Sequence, residues 1–520
     1  MPRLALKPDS SFFRKIALGA VGSRAMCEDL SSRGHRMVEL ERGSTGTKLW
    51  KEVKRKRVRI PDLVCTRCGQ RAESRAKTKA ELSMSHSLTD QERAWDFGMV
   101  DGDYIGFPVC EAVHEKYWSA GRLQLGASYW HERNWVRWQL KGNINYFRVA
   151  AFRGSVHTKV ATKGVTEGSE TSVSWNAVFA SRDGTIENVN GQKVTLTRTR
   201  DGRRNTRTIP SAYELFVKQG DAVRSNQVIA GLIRPLTTEE LTCPSHLPSG
   251  YIAQLLESRE RTQRFTGVKL ARLRNESQYR EAVKELAADR EEDVYIRLEA
   301  LAYLMEVCSE PARDLFTPYL ESVDPQTRLE SVIALGEPAN ADAIELLSET
   351  LADSKQPYFV RSAAAWCLGT TGHEDAAARL LKAFADIDHS IREEALEGMV
   401  SIGGLGVPLL VRGLREIDPA IAAGCAEALR QQAHTLSNDA IGEITSEAQK
   451  ADAPSWAAWL LGQLPRDRAK NAIANIQESA PALHYALSLL WAFSESWIAR
   501  RWELRPGADL PVSRDDPYEV

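Results

Sequence analysis

The segment PDLVCTRCGQRAESRAK, residues 61–77, carries the side chains best spaced to do chemistry. Asp62 opens an apolar pair, Leu63-Val64, and Cys68-Gly69 signals a turn. Glu73, Arg75 and Lys77 then fall at alternate positions. Successive side chains of a strand point to opposite faces, so these three share one face of the strand after the turn. An aspartate on one strand and a glutamate on the next can converge on one divalent cation. Such oxygen ligands suit Mg²⁺ or Mn²⁺. A cation there would stabilise charge on an attacked phosphate.

Two neighbouring features compete with or add to that reading. Glu52-x-Lys54 repeats the acid–base spacing, but inside a lysine-rich stretch with no strand pattern, and ranks below Glu73. The run KEVKRKRVR, residues 51–59, places Lys54, Arg55, Lys56, Arg57 and Arg59 just ahead of Asp62, where they would track a phosphate backbone. Cys65-x-x-Cys68 is half a zinc site and needs two more ligands. Cys110 and His114 have a suitable spacing, whereas His86 and His131 do not.

The elements that must position these residues follow from periodicity and breakers. Residues 11–32 show helical spacing that stops at Gly34. Strands are expected at 36–41, through KRVRIPDLVC and through QRAESRAK. A helix is expected over TDQERAWDFGM, and a fourth strand over DYIGFPVC. This α-β-β-β-α-β order, with Pro61-Asp62 and Glu73, resembles the core of the PD-(D/E)xK nuclease superfamily. The resemblance implies a catalytic and metal-binding role for Asp62 and Glu73. Arg75 stands where that family usually has Lys. An arginine does not easily transfer protons, but it can hold a scissile phosphate, and Lys77 lies one step further on the same face. The crossover makes the fourth strand parallel to the third. Cys110 then lies at the far end of the sheet from the Cys65–Cys68 turn, so a plain thiol turn is expected rather than zinc.

Beyond residue 115 the chain changes character. Residues 116–171 are rich in Trp, Tyr and Arg; they suit either base stacking or a packed core with cation–π contacts. Residues 172–235 read as short strands between DG, NG and QGD turns. They resemble a barrel-sandwich hybrid without the lysine tip motif of a carrier domain. Its TRTRDGRRNTR hairpin presents Arg203, Arg204 and Arg207, either to nucleic acid or to solvent. Residues 236–264 read as a Pro/Ser/Thr-rich linker and a first helix.

The back half is a repeat. Similar segments start at Asp293, Asp324, Pro357, Asp388 and Asp418, with a weaker one at Pro454. A period of about 30 residues with two helical patterns per unit means a helical solenoid. Each Asp is expected to cap a first helix. The recurring Arg297, Arg328, Arg361 and Arg392 are expected to pair with an Asp of an adjacent unit. These units, over 265–505, resemble HEAT-like repeats of the phycobilisome-lyase type. Trp456, Trp459, Trp491, Trp497 and Trp502 suit a cap or a docking edge, and residues 506–520 read as a loose tail.

The chain of 520 residues is too long for one core. The expected class is a multidomain α+β protein: nuclease-like domain (1–115), connecting region, small β domain and α-solenoid. Net charge is -1, yet residues 1–290 hold 49 Lys and Arg against 32 Asp and Glu, and residues 291–520 hold 19 against 37. A front half of +17 suits nucleic acid, and a back half of -18 repels it. The acidic array is therefore expected to bind a protein. No apolar run near 18 residues and no leader pattern is read, and the thinly spread cysteines suit a reduced cytoplasmic setting. Two function classes follow: a Mg²⁺- or Mn²⁺-dependent nuclease in DNA processing or defence, or a non-catalytic scaffold with a degenerate nuclease fold.

Overall fold

A computed structural model describes residues 10–44, 58–87, 90–114, 136–155, 157–161, 170–450, 455–464 and 468. They form two compact units, one within residues 1–303 and one from Leu304 onward. Lys54, Arg55, Lys56 and Arg57 lie outside the described residues, as do His131, Trp491, Trp497, Trp502 and the tail.

The first unit starts with helix Ser10–Ser32 and strands β1 (Met37–Glu39), β2 (Leu63–Cys65), β3 (Arg71–Ser74), β4 (Leu82–Ser87), β5 (Tyr104–Phe107), β6 (Cys110–His114), β7 (Val136–Leu140) and β8 (Asn145–Arg148). One five-stranded sheet runs in the order β1-β2-β3-β5-β8. β1, β2 and β3 are antiparallel neighbours, β3 pairs parallel with β5, and β8 closes the edge antiparallel. The expected strand order and the parallel return are thus present.

Gly22 lets the helix approach closely: a Cβ there would stand 2.6 Å from Ala76 Cβ and 3.0 Å from Ser74 Oγ. The helix therefore covers the face of Ser74 and Ala76, and leaves Glu73, Arg75 and Lys77 on the other. Met26 and Leu30 pack there with Leu63, Cys65, Ala72, Tyr104 and Tyr146.

The expected helix over TDQERAWDFGM is not formed by its described residues. Gln91–Arg93 makes one 3-10 turn, capped by Asp90. Gly98 then adopts φ +80, which no helix residue can, and Trp95 is drawn into the core. So short a segment cannot repay the cost of helix nucleation. A strand not expected from the sequence, β4, instead pairs with β10 (Glu170–Trp175), which also pairs with β9 (Thr158–Ala161). Leu82, Met84, Val173 and Trp175 of this second sheet share a core with Ile105, Phe107, Phe147 and Phe152. The aromatic region is thus in part a packed core: Tyr146, Phe147 and Phe152 are buried, and Arg148 lies over the Tyr104 ring at 5.4 Å.

The stretch SVSWNAVFAS splits at Asn176. Its first half is β10; its second, β11 (Ala177–Phe179), enters the small β module. That module sets β11 beside β17 (Val228–Gly231) and β15 (Glu214–Leu215). A second sheet orders β14 (Arg204–Thr208), β13 (Lys193–Arg198), β12 (Gly184–Asn190) and β16 (Ala222–Val223). Ile186, Val194, Leu196, Val223 and Ile229 fill its core.

Helices Tyr251–Leu256, Arg261–Leu273 and Arg280–Ala288 complete the first unit, which ends inside helix Val294–Cys308. The buried Arg71 joins this helical part to the sheet. It bonds Asp103 at 2.5 and 2.9 Å, and reaches Thr262 O and Thr266 Oγ1.

The second unit is a run of paired helices: Pro325–Gly336 with Ala341–Ala352, Tyr358–Thr370 with Glu374–Ala383, His389–Ile402 with Val407–Gly413, and Pro419–Gln431 with Asn438–Gln449. The expected caps are in place at Asp293, Asp324, Asp388 and Asp418, each accepting a first-turn amide. The expected Arg–Asp pairing is found for Arg361, with Asp386. Elsewhere the guanidinium serves backbone carbonyls: Ala287 for Arg297, Ser322 for Arg328, and Asp386 and Ile387 for Arg392. Carbonyls at helix ends lack intrahelical partners, so an arginine nearby satisfies them. Gly369 and Gly398 let two first helices touch; a Cβ on Gly369 would lie 2.2 Å from Gly398 Cα.

The span His389–Gly413 is long and apolar enough to cross a membrane by length and composition alone, although Arg392, Glu393, Glu394, Glu397 and Arg412 interrupt it. It consists of two helices of one repeat, turned at Gly403 with φ +67. Ile391, Ala395, Met399 and Leu410 are buried in the array. Trp456 and Trp459 meet edge to face at 5.5 Å.

Candidate functional site

β2 and β3 pair Leu63 with Ala72. Extending that register by one residue sets Asp62 directly across from Glu73. Side chains so placed share a face, with Cβ atoms about 5 Å apart. Asp62 Oδ2 accepts the Ser74 amide at 2.7 Å, which locks the aspartate at the mouth of the hairpin. Beyond Ser74 the ladder to the β5 side continues. Arg75 N donates to Gly106 O and Lys77 N to Pro108 O, at 2.8 and 2.9 Å. Glu73, Arg75 and Lys77 therefore do alternate along one extended segment.

The charges around Asp62 are unbalanced. Burial, then the negative charges of Glu73 and Glu41, push its carboxyl well above the usual range; the Ser74 amide and Arg75 oppose them without prevailing. A carboxylate that is costly to ionise alone becomes favourable when a cation neutralises it. Arg75 bonds Glu73 Oε1 at 3.1 Å and Trp95 O at 3.1 Å. Its Nε is buried with no hydrogen-bond partner, and so is Ser74 Oγ. An unsatisfied guanidinium N–H beside paired carboxylates is poised for an anion with oxygen acceptors.

Arg59 joins the group. It donates to Glu92 O at 2.9 Å, and it senses Arg75, Glu73 and Glu41; burial lowers its pKa. Lys77 does not join it. Burial pulls its ammonium down to about 8, and the charges it feels are those of Glu81, Arg75 and Lys79. Glu41 is the residue that sequence reasoning missed. It lies two residues past β1, and only the pairing of β1 with β2, well separated from it in the chain, brings it toward Asp62.

Arg203, Arg204 and Arg207 of the β13–β14 hairpin are exposed and engaged within the module. Arg204 pairs with Glu187, Arg203 approaches Asp201 at 3.7 Å, and Arg207 donates to Phe179 O at 3.1 Å.

Cys110 is not part of the group that Cys65 and Cys68 join, and the side chain of His114 lies outside the described residues. Cys110 is buried in β6, where burial raises its thiol to about 11. The CxxC turn instead gathers with His35, which follows the N-terminal helix, and Cys243, from the linker ahead of the helical region. One ligand atom from each of the four lies within 4.8 Å of the others. It is the one such group of three or more potential ligands among the described residues. The CxxC turn is therefore not isolated: its two neighbours come from segments far apart in the chain.

Residues 313–400 match the HEAT repeat family model. The C-terminal region is a HEAT-like solenoid. Several solved structures are similar to part of the chain. Human deoxyhypusine hydroxylase is 15% identical, covering 43% of this chain and 97% of its own, with a TM-score of 0.21. The CpcE–CpcF complex of phycocyanin lyase from Nostoc sp. PCC7120 is 19% identical over 43% of this chain and 92% of that chain, with a TM-score of 0.22. The karyopherin Kap121p bound to Pho4p is 14% identical over 47% and 29%, with a TM-score of 0.24. No curated protein matches the sequence.

Proposed function

We propose that the chain is a metal-dependent nucleic-acid phosphodiesterase, with its HEAT-like array serving to bind a protein partner. The observation that carries this reading is the half-buried Asp62–Glu73 pair, held across a hairpin beside an arginine with an unpartnered N–H. Mg²⁺ or Mn²⁺ fits this donor set. Such ions accept one or two carboxylates and keep water and phosphate oxygens in their remaining positions. Bound there, the cation would supply electrostatic stabilisation of charge on the phosphoryl oxygens.

The chain's own residues do the rest. Asp62 and Glu73 provide anionic oxygens in a geometry set by backbone pairing, so little reorganisation is needed. Arg75 offers its Nε–H to a phosphate oxygen, and Arg59 adds positive potential at the same place. The net +17 of residues 1–290 draws a polyanion toward this face. In the array, Val323, Ile387 and Ile417 are each almost fully exposed, one residue ahead of a helix cap. A row of aliphatic side chains on an acidic solenoid fits a basic protein surface with apolar knobs.

One observation favours a second reading, a nucleic-acid-binding scaffold without catalysis. Arg75 already pairs with Glu73, and Lys77 faces a different set of charges. Incubation of the full chain with plasmid and linear single strands in Mg²⁺ or Mn²⁺ separates the two. Cleavage lost in Asp62→Ala and Glu73→Ala, with folding intact by circular dichroism, supports the enzyme. Arg75→Lys is then expected to retain part of the activity and Arg75→Ala little. Salt-sensitive binding without cleavage in any metal supports the scaffold.

A further inference from the structure

We propose that His35, Cys65, Cys68 and Cys243 hold one structural zinc ion, which joins three distant segments of the first unit. The geometry is that of a tetrahedron awaiting its centre. Zn–S bonds of about 2.3 Å and a Zn–N bond of about 2.0 Å imply S···S edges near 3.8 Å and S···N edges near 3.5 Å. Cys65 Sγ and Cys243 Sγ are 4.0 Å apart, and Cys68 Sγ and His35 Nδ1 are 3.5 Å apart. A disulfide needs sulfurs about 2.05 Å apart, and all eight cysteines are free.

The surroundings are also those of a metal site. His35 Nε2 lies 3.1 Å from Leu241 O, so that nitrogen carries the proton and Nδ1 keeps its lone pair toward the sulfurs. A ligating histidine nearly always anchors its other nitrogen in this way. The Arg36 amide points at Cys65 Sγ at 3.4 Å, and the Ser245 amide at Cys243 Sγ at 3.3 Å. Backbone N–H donors of this kind offset the negative charge of thiolates. The CxxC turn ends at Gly69, whose φ of +75 folds the chain back under the two cysteines; a Cβ there would strike the Tyr251 ring at 2.4 Å. His35, Cys65 and Cys243 are buried and Cys68 is partly so, which suits a closed structural site rather than one open to substrate.

The site's position says what the ion does. Cys65 ends β2, three residues after Asp62, and Cys68 lies in the turn before β3. The metal would clamp the closed end of the hairpin whose open end carries Asp62 and Glu73. It would also tie the linker at Cys243 to the loop after the N-terminal helix. The proposal does not depend on catalysis, because metal content and coordination are read directly.

The test uses the full chain. Elemental analysis after purification without chelator is expected to give about one zinc per chain. Cys243→Ser and His35→Ala are each expected to lose it to background, and Cys110→Ser to keep it. Should the first two variants not fold, the unaltered chain grown in cobalt-supplemented medium decides. Thiolate-to-cobalt charge transfer with intense tetrahedral d–d bands supports the site. A chain with neither zinc nor that spectrum overturns the proposal. So does retention of zinc in folded Cys243→Ser, or its loss in folded Cys110→Ser.

Discussion

Replacing Asp62 by Asn is expected to stabilise the metal-free protein while removing its response to Mn²⁺. Asp62 and Glu73 face each other at a Cβ spacing of about 5 Å. Two unit charges at that distance repel by roughly 3 kcal/mol at an effective dielectric of about 20. Glu41 adds to the repulsion and Arg75 cancels part of it. The asparagine oxygen can still accept the Ser74 amide, but a neutral acceptor forfeits about 1 kcal/mol of a charge-assisted bond. The net gain is roughly 1–2 kcal/mol, or about 2–4 °C in Tm for a unit of this size. The sign depends on pH. The folded-state pKa of Asp62 is raised, so its contribution is fully present below the ordinary aspartate pKa, about 3.9, and is lost as pH rises through the folded value. The variant should therefore match the parent in acid and exceed it at neutral pH. The assay is thermal unfolding in chelating-resin-treated buffer, with and without Mn²⁺. The parent should gain stability from the ion and the variant should not. A variant less stable than the parent at neutral pH, or equally stabilised by Mn²⁺, refutes the placement of a cation at this pair.

Two other outcomes test separate parts of the structure. Burial holds Lys77 at about 8 in the folded chain against 10.5 for the ordinary side chain, so its charge costs stability below pH 8 and the cost vanishes above about 10.5. Lys77→Met should be about 2–3 kcal/mol more stable than the parent at pH 7 in urea titrations, and the gap should close toward pH 10.5; a gap constant across that window rules the buried charge out. In the array, Asp388 accepts the Ser390 amide at 2.8 Å as a helix cap. Asp388→Ala should cost about 1 kcal/mol and Asp388→Ser much less, as read by helical circular dichroism on heating; equal losses for both would mean that capping is not the source.

The sequence by itself determined the solenoid. Its signal is local and repeated: an Asp cap, an apolar helical face, then a second helix, at a period of about 30 residues. Each unit packs on its neighbour in sequence, so period and packing carry the same information. The β2–β3 hairpin was legible for the same reason. Its turn, its apolar pair and the alternation of Glu73, Arg75 and Lys77 lie within 17 consecutive residues, and strand alternation then dictates which side chains share a face. The sequence also marked Arg75 as the departure from the nuclease pattern, and in the structure that same arginine meets Glu73. Only tertiary structure decided the rest. Gly98 and the pull of Trp95 into the core broke the helix expected after Thr89, and β4 took a place in a second sheet whose partner strands come much later in the chain. Tyr146, Phe147 and Phe152 of the aromatic region became core because β8 closes the main sheet. Glu41 reaches Asp62 through the pairing of two strands well separated in the chain. Cys243 meets Cys65 across 178 residues of separation. No spacing rule spans such a distance; the side chains meet because the linker folds back over the N-terminal helix and sheet to bury Leu241 and Cys243 against Met26, Leu30 and Tyr104, and hydrophobic burial of that kind leaves no local pattern to read.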